Sequence, residues 1–249
     1  MNVIACYSNK GGVGKTATAV NMAYAFAAHG DKTLLCDLDP QGASSFYLKV
    51  KPSKKLGAEK FFKDEDRFAK AIRESEFVDL DVLPANISFR DFDVFLAQLR
   101  NSDSRLKKAL KAVKADYDTV ILDCPPNIST LSESVFKAAD EILVPVIPTQ
   151  LSERTFLQLL DFFQEHRLDD SKLRPFFSMV QSVKSLHADT MASLLAAYPG
   201  RFLSTTIPFA SDIEKMGVTL EPVIHTAPSR TASLSYQALF DELLDRRLS

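Results

Sequence analysis

The chain has 249 residues, 46% hydrophobic and 25% charged, which fits a single globular α/β domain spanning 1–249 with room for a substantial core. Its formal net charge of −2 provides no overall field toward nucleic acid or anionic lipid, so any such binding must come from a local patch. Cys6, Cys36 and Cys124 each fall in or just after an apolar run, and no C-x-x-C pair exists; they are expected to be reduced and buried, which argues against zinc or an iron–sulfur site. No basic segment followed by a long apolar one opens the chain, and no apolar run approaches membrane-spanning length. The expectation is a cytoplasmic protein without a signal peptide.

Residues 3–7, Val-Ile-Ala-Cys-Tyr, read as a buried strand, and the alanine-rich residues 16–28 read as a helix. Between them lies Ser8-Asn9-Lys10-Gly11-Gly12-Val13-Gly14-Lys15-Thr16. The glycines allow positive φ and close approach of an anion, so that successive N–H groups and the helix start can face phosphate oxygens. Lys15 offers a mobile charge for the β and γ phosphates, and the Thr16 hydroxyl suits Mg2+. This is a Walker A loop, although Asn9 stands where the strict pattern asks for glycine and Lys10 adds a second lysine.

Residues 33–37 form a short strand that runs into Leu38-Asp39-Pro40-Gln41-Gly42. A parallel sheet places such strand ends beside the phosphate loop, which makes Asp37 and Asp39 candidates for the active edge. From 49 to 79 the pattern weakens; Lys49, Lys51, Lys54, Lys55, Lys60 and Lys63 are interleaved with acids and predict a solvated face with short helices. A third strand begins at Leu80, helices are expected over 88–99 and 104–115, and Thr119-Val120-Ile121-Leu122-Asp123 ends in another acid. A helix over 127–139, a strand at 141–149 whose prolines suggest that it ends early or bends, and a helix over 151–166 follow. The alternation continues with strand 175–180, helix 187–198, strand 205–208 and helix 229–248. Alternating strand and helix imply a mostly parallel twisted sheet covered on both faces, a three-layer α/β/α sandwich.

The box Lys-Gly-Gly-Val-Gly-Lys-Thr resembles the deviant Walker A of the ParA/MinD family of P-loop NTPases. Asp37-Leu38-Asp39-Pro40-Gln41 resembles its switch I, residues 119–123 its Walker B strand, and Asn127 onward its switch II. The resemblance covers nearly the whole chain and implies an ATPase using ATP and Mg2+, in the short form that lacks an N-terminal helix-turn-helix. By position, residues 10–17 including Val13 and Ala17 hold the nucleotide and Lys15 contacts its phosphates; Thr16 and Asp123 serve the metal, with Asp37 near it; Asp39 positions the attacking water. Lys10 is implied to reach the partner's nucleotide across an ATP-dependent homodimer.

Two departures bear on the base and phosphate contacts. Ala17 stands where many relatives have threonine, and Ile207-Pro208-Phe209-Ala210 where relatives often carry Ile-Pro-Arg-Asn, which leaves Pro208 and Gln181 as candidate base contacts. The resemblance further implies non-specific DNA binding and a ParB-like stimulating partner, with Lys215, Arg230, Arg246 and Arg247 as candidate phosphate contacts. The alternative is a MinD-like membrane-cycling ATPase. The sequence gives that reading little support, because the last turns mix acids with bases and their apolar residues fit a packed helix, so no stable membrane association is expected. A metallocluster carrier on the same scaffold would need bridging cysteines that this chain does not offer.

Overall fold

The computed structural model of the chain describes residues 1–52, 56–99 and 101–248. Strand β1 (Asn2–Cys6) runs through the glycine loop into α1 (Lys15–His29), and β2 (Thr33–Asp37) is followed by α2 (Ala43–Tyr47), α3 (Ala58–Lys63) and α4 (Glu65–Ala71). Next come β3 (Arg73–Glu74), β4 (Leu80–Leu83), α5 (Phe92–Ala97), α6 (Arg105–Lys111), β5 (Thr119–Asp123) and α7 (Thr130–Ala138). Then β6 (Glu141–Val146), α8 (Gln150–Glu165), β7 (Leu173–Val180), α9 (Ser185–Ala197) and β8 (Thr206–Pro208) complete the alternation. Three short helices, α10 (Ser211–Glu214), α11 (Met216–Thr219) and α12 (Val223–Thr226), lead into α13 (Thr231–Leu248).

Among the described residues the strands form one sheet in the order β3-β4-β2-β5-β1-β6-β7-β8, in which only the β3–β4 pairing is antiparallel. Helices cover both faces, which is why β2 and β5 are buried at every position and read as continuous apolar runs rather than alternating ones. One core layer packs Ile4, Cys6, Leu35, Ile121 and Leu143 against α1 and α13; the other packs Ala5, Cys36, Leu122 and Val144 against the helices from α3 to α9. The sheet centre places Cys6, Asp123 and Asp37 on one rung, since β5 pairs in register with β1 and β2. This is the three-layer, mostly parallel architecture that the alternation implied.

Several expectations need correction. The antiparallel edge strand β3 was not foreseen, because its two exposed residues carry no apolar signal. The helix expected from residue 127 starts only at Thr130, after Ser129, whose hydroxyl accepts from Ser132 N in a capping box. The segment expected as helix over 88–99 begins as a 3-10 turn, Ile87–Asp91, before α5, and α6 is likewise preceded by a 3-10 turn, Ser102–Ser104. Pro145 does not end β6, which continues to Val146 paired with β7. Pairing with β1 stops at Leu143, so the side on which proline lacks its N–H faces no further β1 partner. In the lysine-rich segment Lys49 pairs with Glu76 and Lys63 with Glu59, while Lys54 and Lys55 lie outside the described residues.

Candidate functional site

The glycine loop leaves β1 at the carboxyl edge of the sheet and closes onto α1 at Gly14, whose φ of 93° is left-handed. A Cβ there would lie 3.0 Å from Ser178 Oγ, and that same hydroxyl donates to Val13 O at 2.9 Å. The end of β7 thus clamps the loop from outside. Lys15 is nearly buried under the loop, where its ammonium donates to Lys10 O at 3.2 Å. Burial lowers its pKa, and the opposing pull of Asp123 is the main effect holding it up.

Asp37 and Asp123 are fully buried side by side at the strand ends. Ser45 N (2.8 Å) and Ser45 Oγ (2.7 Å) donate to Asp37 Oδ2, and Ser44 Oγ donates to Asp123 Oδ2 at 2.5 Å. Both serines come from α2, a one-turn helix that the sequence reading left out; its signal was the Gly42-Ala43-Ser44-Ser45 run. Burial raises both acids well above the usual carboxylate range. The charge of Asp123 raises Asp37 further, while the Ser44, Thr16 and Lys15 groups hold Asp123 down. The remaining oxygens, Asp37 Oδ1 and Asp123 Oδ1, are buried with no hydrogen bond; Thr16 lies near enough to favour charge on Asp123 but does not complete one.

Two orphaned carboxylate oxygens beside a hydroxyl suit a hard cation, and the buried lysine beside them suits phosphate oxygens. Among the described residues no group of three or more His, Cys, Asp or Glu can hold a metal unaided. Such a set fits Mg2+, which binds through one or two carboxylates and completes its shell with water and substrate phosphates. Asp39, half-buried at the same edge, accepts from Gln41 N at 2.9 Å. The Lys10 ammonium leans back onto the start of α8 and donates to Ser152 Oγ at 3.1 Å. Tyr7, buried after β1, donates to Asn127 O at 3.1 Å and so ties the base of the loop to the segment after Asp123.

An apolar pocket opens beside Gly14, with Met179, Pro208, Phe209, Ala210 and Tyr236 among its walls. Pro208 is therefore placed next to the glycine loop. Gln181 is not among the lining residues, and its N–H donates to His187 Nδ1. Of the basic residues singled out in the last third, Arg247 is a correction. Its guanidinium donates to Asp31 Oδ2 and Thr119 Oγ1, both at 3.2 Å, and lies 4.1 Å from the centre of the Phe26 ring. That arrangement makes it a structural group. Lys215 is paired with Asp212, and Arg230 is exposed.

An AAA-domain family profile matches residues 1–174 of the chain. A ParA family protein of Chlamydia muridarum is 31% identical over 251 residues, covering 98% of both chains. The chain belongs to the ParA/MinD family of P-loop ATPases. This ParA/MinD-type chain is also 28% identical to the sporulation initiation inhibitor protein Soj of Bacillus subtilis over 97% of both. Among solved structures it is similar to cobyrinic acid a,c-diamide synthase from Mycobacterium smegmatis with bound ADP and magnesium, with a TM-score of 0.82, 25% identity and coverage of 100% and 96%.

Proposed function

We propose that this chain binds ATP with Mg2+, dimerises on it, binds DNA without sequence preference, and hydrolyses ATP to segregate or position a plasmid, chromosome region or protein cluster under the control of a ParB-like partner. The observation that carries the nucleotide and Mg2+ part of this reading is the pair of unpartnered, buried oxygens on Asp37 and Asp123, with Lys15 and Thr16 beside Asp123 at the glycine loop. The similar synthase structure with ADP and magnesium supports the same ligand.

In this reading residues 11–17 cradle the phosphates through backbone N–H groups, and Lys15 supplies charge to the β and γ oxygens. Thr16, and through water Asp123 with Asp37 behind it, would hold Mg2+, which would supply charge to offset the phosphate oxygens. Asp39 orients the attacking water. Lys10 leaves Ser152 and meets the nucleotide of the second subunit, where its charge stabilises the transferring phosphoryl group as an arginine finger does. The pocket beside Gly14 takes the base against Pro208.

Asp39→Ala is expected to retain ATP-dependent dimerisation and lose turnover, read by phosphate release and sedimentation velocity. Lys10→Ala is expected to lose both. Equal retention of wild type on DNA with ATP, ADP or no nucleotide would sink the DNA-positioning reading. As for the membrane-cycling reading, Tyr236, Leu239, Phe240 and Leu243 of α13 are buried in the core, and among the described residues no helix is long and apolar enough to cross a membrane.

A further inference from the structure

A further run of basic residues lies apart from the four singled out in the last third. Residues 104–115 carry five bases and no acid in a chain of net charge −2. Helix α6 buries Leu106, Ala109 and Leu110 and leaves Lys107, Lys108 and Lys111 exposed; Lys114, in the turn that continues it, is exposed as well. Lys107 and Lys111, four residues apart on α6, lie about 40° apart around the helix, and Lys114 follows through a turn closed by i→i+3 bonds, in which residues three apart share a face. Lys108 approaches Glu65 at 3.8 Å, whereas Lys107, Lys111 and Lys114 form no ion pair among the described residues. Unneutralised like charges aligned on one face are held at a cost that a polyanion would remove.

The stripe is also tied to α7, which follows the strand ending in Asp123. Helix α6 packs on α7, the helix that follows Asp123. The turn before α6 is tied to α7 by Ser134 Oγ donating to Ser102 O at 2.6 Å and by the Lys137–Asp103 ion pair. Movement of the segment after Asp123 on nucleotide binding would carry the stripe with it.

We propose that Lys107, Lys111 and Lys114 form the phosphate-contacting surface for duplex DNA. This rests on the DNA-binding reading above and names where that binding occurs. The lysines meet backbone phosphates, which line the duplex at one charge per about 1.7 Å of axis, and they read no bases.

The test compares wild type, a triple Lys→Gln variant at 107, 111 and 114, the same triple as Lys→Arg, and a Lys215→Gln/Arg230→Gln variant. Binding to a short duplex of arbitrary sequence is followed by fluorescence anisotropy with ATP at several salt concentrations, alongside ATP-dependent dimerisation and melting temperature. The triple Gln variant is expected to dimerise and melt like wild type, to lose at least about tenfold in affinity, and to lower the log–log salt slope by about 2 to 3 per subunit. The Arg triple is expected to bind as wild type does, and the Lys215/Arg230 variant to keep most of its affinity. Wild-type binding by the triple Gln variant overturns this assignment and leaves the functional reading standing. No DNA binding by wild type in any nucleotide state overturns both. Retention of wild type on phosphatidylserine vesicles, but not on DNA, assigns the stripe to a lipid surface and overturns the proposal as well.

Discussion

Arg247→Ala separates a structural from a DNA-contacting arginine. In the fold Arg247 closes α13 against the start of β5 and the end of α1 through Asp31, Thr119 and the face of Phe26, with about a fifth of its side chain exposed. A partly desolvated cation–π contact is worth about 1 kcal/mol, and a partly buried ion pair, discounted for solvent screening, contributes about another 1. Lost packing of the aliphatic stem brings the total to roughly 2–3 kcal/mol. For a domain of this size each kcal/mol moves the melting temperature by about 2–4 °C, so the variant should melt about 4–12 °C lower. Arg247→Lys should recover only part of this, because an ammonium cannot bridge Asp31 and Thr119 while stacking on the ring. The assay is thermal unfolding followed by circular dichroism, with DNA affinity measured well below the transition. A variant that melts within about 1 °C of wild type but loses DNA affinity would refute the reasoning.

Gly14→Ala places a side chain at left-handed φ with its Cβ against Ser178 Oγ, so we expect about 1–3 kcal/mol of strain and a nucleotide affinity at least tenfold weaker by calorimetry. Cys6, Cys36 and Cys124 are buried and burial raises their thiol pKa values, so a disulfide reagent should find no reactive thiol in native protein and all three after denaturation. Glu242 accepts from Ser204 N and Thr205 N at 2.8 and 3.0 Å; burial raises its pKa, but these bonds outweigh it and the net shift is downward. A depressed carboxylate stabilises above its unfolded pKa and loses that contribution as pH falls through its folded value. Glu242→Gln should therefore destabilise by at most about 1 kcal/mol near neutrality, once solvent screening of this partly exposed group is discounted, and urea titrations should show the difference vanishing at acid pH.

The sheet and its phosphate loop were legible because their signals are local. Glycine spacing, apolar runs of strand length and acids at strand ends all lie within short windows, and Lys15, Thr16, Asp37 and Asp123 do converge at one edge. What escaped depends on contacts distant in sequence. Ser44 and Ser45 look like turn residues until Asp123 and Asp37 are brought against them, and Ser178 is anonymous until β7 reaches the loop. Arg247 reads as a surface base because Asp31 and Thr119, its partners, are more than a hundred residues away in the chain. The edge strand β3 has no core-facing residue to betray it.

The rung shared by Cys6, Asp123 and Asp37 fixes when the site can come into being during synthesis. The glycine loop is made before β5, the strand that lies between β1 and β2 and carries the second acid, by about a hundred residues of chain. On the ATP reading, the acid pair that would anchor the metal is therefore complete only once β5 has joined the sheet, so a shorter nascent fragment offers the cradle without it.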